Sequence, residues 1–505
     1  MKMRTIYVAL LGFLVMYGPS LADELLVPGE YLKIQAAIDA SVDGDVIIVA
    51  DGTYTGTGNK NLDFGGHAIT VRSENGPEFT IIDCENQDRG FLFRSGEDGN
   101  SVLEGFTIRN GNANSNSPES NNGGAIFCLY SSPNVRNCVL RNNTTSGRGG
   151  GIYCYVSSMV LSECKFIENT ANTAGGGLHT NNSTLEISDC EFLNNSTVGF
   201  SSDGGGIDQG NGSNCTITNC LFAGNSCTDD GGGAGIRNYN ASGILINCTF
   251  TGNSAQYGGI LNGPTSSPIY INCILWGNSA YEIYNGGDSH PTFSYCDIEG
   301  GWNGLKVVNQ SGSSLINGGG NIAADPLFID AVNPDLYARD YHLSNGSPCI
   351  DAAMDAGVDD DIEGNIRPID FPDVDNNGYL PEFDIGAYEA VPLPPNLVEI
   401  AAISIEKAII EKIKAIERID AGLEQEWTAY DALEELLESG DYGDLNKGDI
   451  VTAKQEIHSA IQHQELAKKT LQRSIEKLLY SLSALGYGPQ PPGSSWPPYV
   501  TITQP

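Results

Sequence analysis

Basic residues are scarce in this 505-residue chain: 26 Lys and Arg stand against 63 Asp and Glu, a formal charge of −37. A surface of that sign disfavours nucleic acid and anionic lipid and suits cations or neutral ligands. Histidine is equally sparse, with 6 residues spread along the chain, and no two cysteines are spaced Cys-x-x-Cys, so no zinc site is expected. Past the N-terminus no apolar run approaches the length of a membrane span. Residues 122–278 also lack any helix-length apolar periodicity.

What those residues have instead is a repeat of about 26 residues, the mark of a stacked array. A glycine cluster and a small apolar pair recur as Gly123-Gly124-Ala125-Ile126, Gly149-Gly150-Gly151-Ile152, Gly175-Gly176-Gly177-Leu178 and Gly204-Gly205-Gly206-Ile207, with looser copies at Gly232 and Gly258. Between them sits a polar residue, then Cys, then Phe-x-x-Asn: Cys164 to Asn169, Cys190 to Asn195, Cys220 to Asn225 and Cys248 to Asn253. Leu140 and Leu275 take the Phe slot in two variants. Short alternating runs such as Leu185-x-Ile187 and Ile244-x-Ile246 read as strands, with Gly, Asn, Ser and Asp as turn residues. One repeat cannot bury its apolar face alone, whereas stacked repeats can. The expected fold class is therefore an all-β solenoid, a right-handed parallel β-helix followed by a C-terminal α-helical hairpin. In it Phe166, Phe192, Phe222 and Phe250 form an internal stack, and Asn143 to Asn278 a ladder whose amides bond the next coil. Thirteen cysteines in an exported chain would ordinarily suggest disulfides. Here Cys138, Cys164, Cys190, Cys220, Cys248 and Cys273 occupy one slot, which fits a ladder of buried thiols, although neighbouring rungs lie within reach of each other.

The paired Gly-Gly-Ala-Ile and Phe-x-x-Asn phrases resemble the repeats of polymorphic outer-membrane proteins. Together with Ile34 to Tyr54 they resemble the secreted bacterial right-handed β-helix proteins related in fold to pectate lyases. The resemblance spans residues 24–390 and implies an architecture rather than an activity.

In chain order, Lys2 and Arg4, an apolar run from Ile6 to Tyr17 and Ser20-Leu21-Ala22 form a secretory signal, so residues 1–22 are expected to be removed and the rest exported to the medium or cell surface. Residues 23–320 form the β-helix, with Ile34 to Ala40 as a helix capping its N-terminal end and Asn303 to Gly320 as a long loop. Residues 321–390 are expected to cap the other end. A Pro-rich linker, 391–396, leads to an antiparallel helical hairpin, 397–485, able to mediate self-association, and a Pro-rich tail, 486–505.

Two constellations carry possible chemistry. Asp373, Asp375, Asn377, the Tyr379 carbonyl and Asp384 stand at the places of a Ca²⁺ loop, with Gly378 at the turn. An ordinary acidic turn is the competing reading, since Phe371-Pro372 precedes the loop and Pro381 lies inside it. Asp203, Asp208, Asp229 and Asp230 lie beside glycine turns and supply carboxylates for a glycosidase pair. No base matches a pectate lyase motif, the motif set of polygalacturonases is missing as a set, and His179 and His290 read as turn or surface residues. The expected function is an exported, non-catalytic scaffold contacting a polysaccharide or cell-surface ligand, and the alternative is a polysaccharide lyase or glycoside hydrolase.

Overall fold

A computed structural model describes residues 22–114, 120–200, 202–228, 230–333, 338–344, 346–369 and 383–390, with single helical positions between 412 and 472. The chain divides into two compact units, Met1–Val391 and Pro392–Pro505. The first is a right-handed parallel β-helix. Three long sheets run along it: a first of 12 strands, from Glu24–Val27 to Ile316–Gly319; a second of 10, from Gly52–Tyr54 to Asp297–Ile298; and a third of 10, from Leu62–Asp63 to Val307–Asn309. A short sheet of 5 two-residue strands, Asn112–Ala113 to Ser226–Cys227, lies between the second and third. One coil visits them as Val160–Ser162, Lys165–Ile167, Thr170–Ala171 and Leu178–Asn181. Ile34–Ala40 is helical, as expected.

Each slot of the repeat has a structural reason. The polar residue before Cys turns the corner between the first and second sheets in the left-handed region, as at Asn137, Asp189, Asn219 and Asn247. All thirteen cysteines are free and buried. Those of the ladder lend their S–H to the carbonyl two residues back, as Cys190 does to Ser188 at 3.0 Å. The phenylalanines stack inside: Phe166, Phe192, Phe222 and Phe250 lie 4.5, 4.9 and 4.5 Å apart with nearly parallel planes. Gly150 is held to glycine by close approach, since a Cβ there would sit 2.4 Å from the Gly176 carbonyl oxygen, and among the glycine clusters only that of Ala234 puts a methyl group in this slot.

The asparagine ladder is continuous from Asn143 to Asn278, each amide donating to the oxygen of the next. Its last acceptor is Glu282, whose two oxygens take the backbone N–H and the side-chain amide of Asn278. Burial pushes the Glu282 carboxyl up to about 8, while Glu299 beside it is lowered. The folded chain therefore holds a proton on Glu282 that the unfolded chain releases above pH 4.5. Stability attached to this group is fully present below pH 4.5 and is lost as pH rises through about 8. Glu282→Gln, which stays neutral, is expected to flatten the fall in the denaturant midpoint between those two values. An unchanged slope would refute the assignment.

Two expectations are corrected. Residues 303–320 are not a plain loop: Val307–Asn309 and Ile316–Gly319 extend the third and first sheets by one strand each. Trp302 lies edge-on to Phe293, the last rung of the aromatic core, at 6.4 Å. Within 321–390, Asn321 and Ile322 bond the last coil at the end of the rod, but the described residues from Tyr341 on pack along the outer side of the second sheet. Leu343, Cys349, Ile350 and Ile385 bury Ile274, and Tyr341 buries Leu221 and Ala223. The Met354 and Asp360 carbonyls accept the side-chain amides of Asn272 and Asn219. This explains why the second sheet carries apolar residues at outward positions from Leu221 to Ile274.

In the second unit the described positions, among them Ile416, Leu423, Ile457 and Ile461, are helical. Lys454 joins two stretches of it by pairing with Glu434 at 2.7 Å and lying over the Tyr430 ring. The linker and the tail lie outside the described residues.

Candidate functional site

The position after each glycine phrase points outward from the third sheet. In register it reads Phe127, Tyr153, His179, Asp208, Arg237 and Leu261. The row does not repeat one residue type, so it is where this regular rod becomes specific. Phe127 and Tyr153 stack at 5.6 Å, and Tyr153 and His179 at 5.4 Å, with planes within 11° of parallel. Phe127 and His179 are buried and Tyr153 is partly exposed, so the stack is only partly open to solvent.

His179 is buried on a strand, which corrects the surface or turn position expected for it. Its Nδ1 lies 2.7 Å from Asp208 Oδ2, and its buried Nε2 has no hydrogen-bond partner. His290, by contrast, is exposed in a loop, as expected. Arg237 closes the group, donating from Nη1 to Asp208 Oδ1 at 2.8 Å and lying 3.3 Å by Nε from Asp203 Oδ2. It also lies over the Tyr239 ring at 4.7 Å. Burial works to raise the Asp208 carboxyl, but the Arg237 charge and the His179 hydrogen bond outweigh it and hold it at about 2. Asp203 is pushed the other way, upward by burial.

Of the four carboxylates picked out from the sequence, the structure brings Asp203 and Asp208 together on Arg237. Asp208 lies on the strand Ile207–Gln209 rather than in a turn, with both oxygens engaged. Asp203 also accepts the Gly232 N–H at 3.0 Å. Asp230 is exposed and Asp229 lies outside the described residues. His179 was missed as a member of this group. The usable signal was its slot, one residue past the glycine phrase, which it shares with Asp208 and Arg237.

Turn length marks the same face. Six positions separate Asn143 from Gly149 and Asn169 from Gly175, but nine separate Asn195 from Gly204 and eight separate Asn225 from Gly233. All these turns join the short sheet to the third sheet, beside the outward row. The longer one ending at Gly204 holds Phe200, 83% exposed. A still longer connection, from Ala113 to Ile126, is tied down at its described end by the fully buried Arg89. That guanidinium donates to the carbonyls of Ser120, Asn122 and Gly123 and lies over Phe127 at 5.2 Å. Long turns on a solenoid are where such folds place binding loops.

Of the calcium set, Asp373, Asp375, Asn377 and Tyr379 lie outside the described residues. Asp384 is buried, and its oxygens accept the backbone N–H groups of Asp351 and Ala390. Arg367 and Glu389 form a buried ion pair beside it, at 3.1 Å. Among the described residues no three His, Cys, Asp or Glu side chains converge as metal ligands, and no helix is long and apolar enough to cross a membrane.

A solved pectate lyase, Pel9A, is similar to this chain at 15% sequence identity, with a TM-score of 0.34 over 74% of this chain and 97% of that one. No curated protein sequence matches. A family model, described as the right handed beta helix region, matches residues 45–207 and 205–319, more than half the chain. The coil-by-coil register and this match agree, and the chain belongs to the right-handed β-helix family.

Proposed function

We propose that this chain is an exported, non-catalytic rod that holds a carbohydrate or cell-surface ligand against its third sheet. The observation that carries this is the concentration of long turns beside one heterogeneous outward row in which Tyr153, Arg237 and Leu261 are partly exposed. Export is supported by the charged, apolar and small-residue order of residues 1–22. The absence of catalysis is supported by the state of the acids: Asp208 has both oxygens committed, and Asp203 faces Arg237. A charge of −37 favours neutral over polyanionic ligands.

One observation favours a second reading, a lyase or glycoside hydrolase. Asp203 and Asp208 share an arginine yet are pushed in opposite directions, the pattern of an acid and base pair. The two readings part in one experiment. The full chain, recovered from the medium of a secreting host, is applied to a panel of neutral and acidic glycans and assayed for binding and for product. The expected result is binding without product, from a mature chain beginning at Asp23. Product formation that disappears in Asp203→Asn would establish the second reading, and neither binding nor product would remove both.

A further inference from the structure

Toward the C-terminal end of the rod, the glycine corner before the third sheet stops repeating. The residue two places before each strand is Gly or Ala from Gly124 to Gly258, and in the next two coils it is Tyr281 and then Leu305. Leu305 is 96% exposed. Two more tyrosines meet Tyr281 there. Tyr284 lies outward on the strand Ile283–Asn285, in register with Leu261, and Tyr257 precedes Gly258 in the coil before. The Tyr257 and Tyr284 rings lie 4.8 Å apart and tilted by 56°, and those of Tyr281 and Tyr284 6.0 Å apart and tilted by 48°. The inner phenylalanines stack within 7° of parallel, which covers their faces. The tilted tyrosines do not cover one another in that way, and all three are partly exposed. Two glycines make room for them: a Cβ on Gly232 would sit 2.7 Å from Tyr257 Cβ, and one on Gly258 would sit 2.9 Å from Tyr281 Cβ.

The polar groups around this cluster select the occupant. The Tyr284 hydroxyl is tied to the Gln310 amide, whereas the Tyr257 and Tyr281 hydroxyls bond no other group among the described residues. A purely apolar partner would bury those hydroxyls unmade, which costs free energy. Charges of both signs stand at the edges. Arg237, beside Leu261, is held by Asp203 and Asp208, and Lys306, beside Leu305, lies against Glu299 and Glu282. Asp230 and Asp288 are exposed in the turns on either side of the sheet. The cations are already paired and the exposed charges are acids, so nothing here complements a polyanion. Arg237 and Lys306 in turn oppose a polycation. We propose that Tyr257, Tyr281, Tyr284 and Leu305 form a contact site for a neutral oligosaccharide, whose apolar C–H faces lie on the rings and whose hydroxyls bond the free phenols and the rim acids. This rests on the reading of the rod as a carbohydrate scaffold and adds to it a place and a ligand charge.

The test is calorimetric titration of the full chain with cellohexaose, mannohexaose and the hexamer of N-acetylglucosamine, with hexagalacturonate and poly-L-proline as comparisons. At least one neutral hexasaccharide is expected to bind, with an affinity that salt leaves unchanged, and hexagalacturonate is not. Affinity for that sugar is expected to fall at least about tenfold when Tyr257→Ala and Tyr281→Ala are combined. Tyr281→Phe, which keeps the ring, is expected to retain most of it. Leu305→Ala changes a side chain that the rod leaves in solvent, so it is expected to weaken binding severalfold at an unchanged thermal midpoint. It decides the matter alone if the double variant does not fold. Unchanged affinity in these variants would overturn the site, as would a preference for hexagalacturonate or for poly-L-proline. Sugar binding lost in Tyr153→Ala but kept in the double variant would move the contact up the sheet, overturning this site while leaving the scaffold reading standing. A wild type that binds no glycan removes the scaffold reading, and this inference with it.

Discussion

Replacing Asn195 with alanine is expected to lower the stability of the rod by about 3–5 kcal/mol, among the largest effects available to a single side chain in this fold. Asn195 is fully buried and makes four side-chain hydrogen bonds. Its oxygen accepts the Asn169 backbone N–H at 3.1 Å and the Asn169 amide at 2.9 Å. Its amide donates to the Phe166 carbonyl at 2.8 Å and to Asn225 Oδ1 at 3.0 Å. Alanine strands the Asn169 N–H and the Phe166 carbonyl away from water, and each buried polar group left unmade costs about 1–3 kcal/mol. Loss of ladder continuity adds to this, since each coil is held only by its neighbours. Asn195→Asp keeps the size but replaces the donor with a carboxylate facing the Phe166 carbonyl. It should be at least as damaging at neutral pH and recover as pH falls, because protonation restores one donor. Denaturant titrations of the three proteins at neutral and acidic pH decide the point. A loss below about 1 kcal/mol in Asn195→Ala would mean that the ladder is decorative.

The ladder was readable from sequence for the reason that makes it strong. A residue that must bond its own counterpart in the next coil recurs at every coil, and Asn169, Asn195, Asn225 and Asn253 do so. The same logic exposed the Phe stack, the buried thiols and the glycine corners. Period-based reading is blind where a slot stops repeating. The row from Phe127 to Leu261 changes residue at every strand, so His179 looked like an isolated histidine until register placed it on Asp208. It is also blind to what covers a face. Leu221, Ala223 and Ile274 point outward and are apolar because Tyr341, Leu343 and Ile385 lie over them, and no local pattern connects residues so far apart in the chain. The loop expected at 303–320 failed for a third reason. Gly, Ser and Asn mark turns, but here the turns bracket two more short strands.

Arg237→Met is expected to lower stability by about 3 kcal/mol, at the lower end of what breaking a buried ion pair costs because the guanidinium keeps some contact with solvent. Arg237 sits between Asp203 and Asp208, and its removal leaves two carboxylates in one partly dry site with only His179 opposite. The sign of the pH dependence follows from Asp208. Its folded pKa of about 2 lies below its ordinary 3.8, so its contribution is present above pH 3.8 and lost as pH falls through about 2. In Arg237→Met the depression is removed, burial raises both carboxyls, and protonation relieves the site. The gap between variant and wild type should then be widest at neutral pH and narrow below about pH 4. Adding Asp203→Asn and Asp208→Asn removes the stranded charges and should restore part of the loss, because groups in one network do not act additively. A gap that stays constant from pH 7 to pH 3 would show that Arg237 acts by packing on Tyr239 rather than by charge. A triple variant that keeps glycan binding would show that this network holds the shape of the row without touching the ligand.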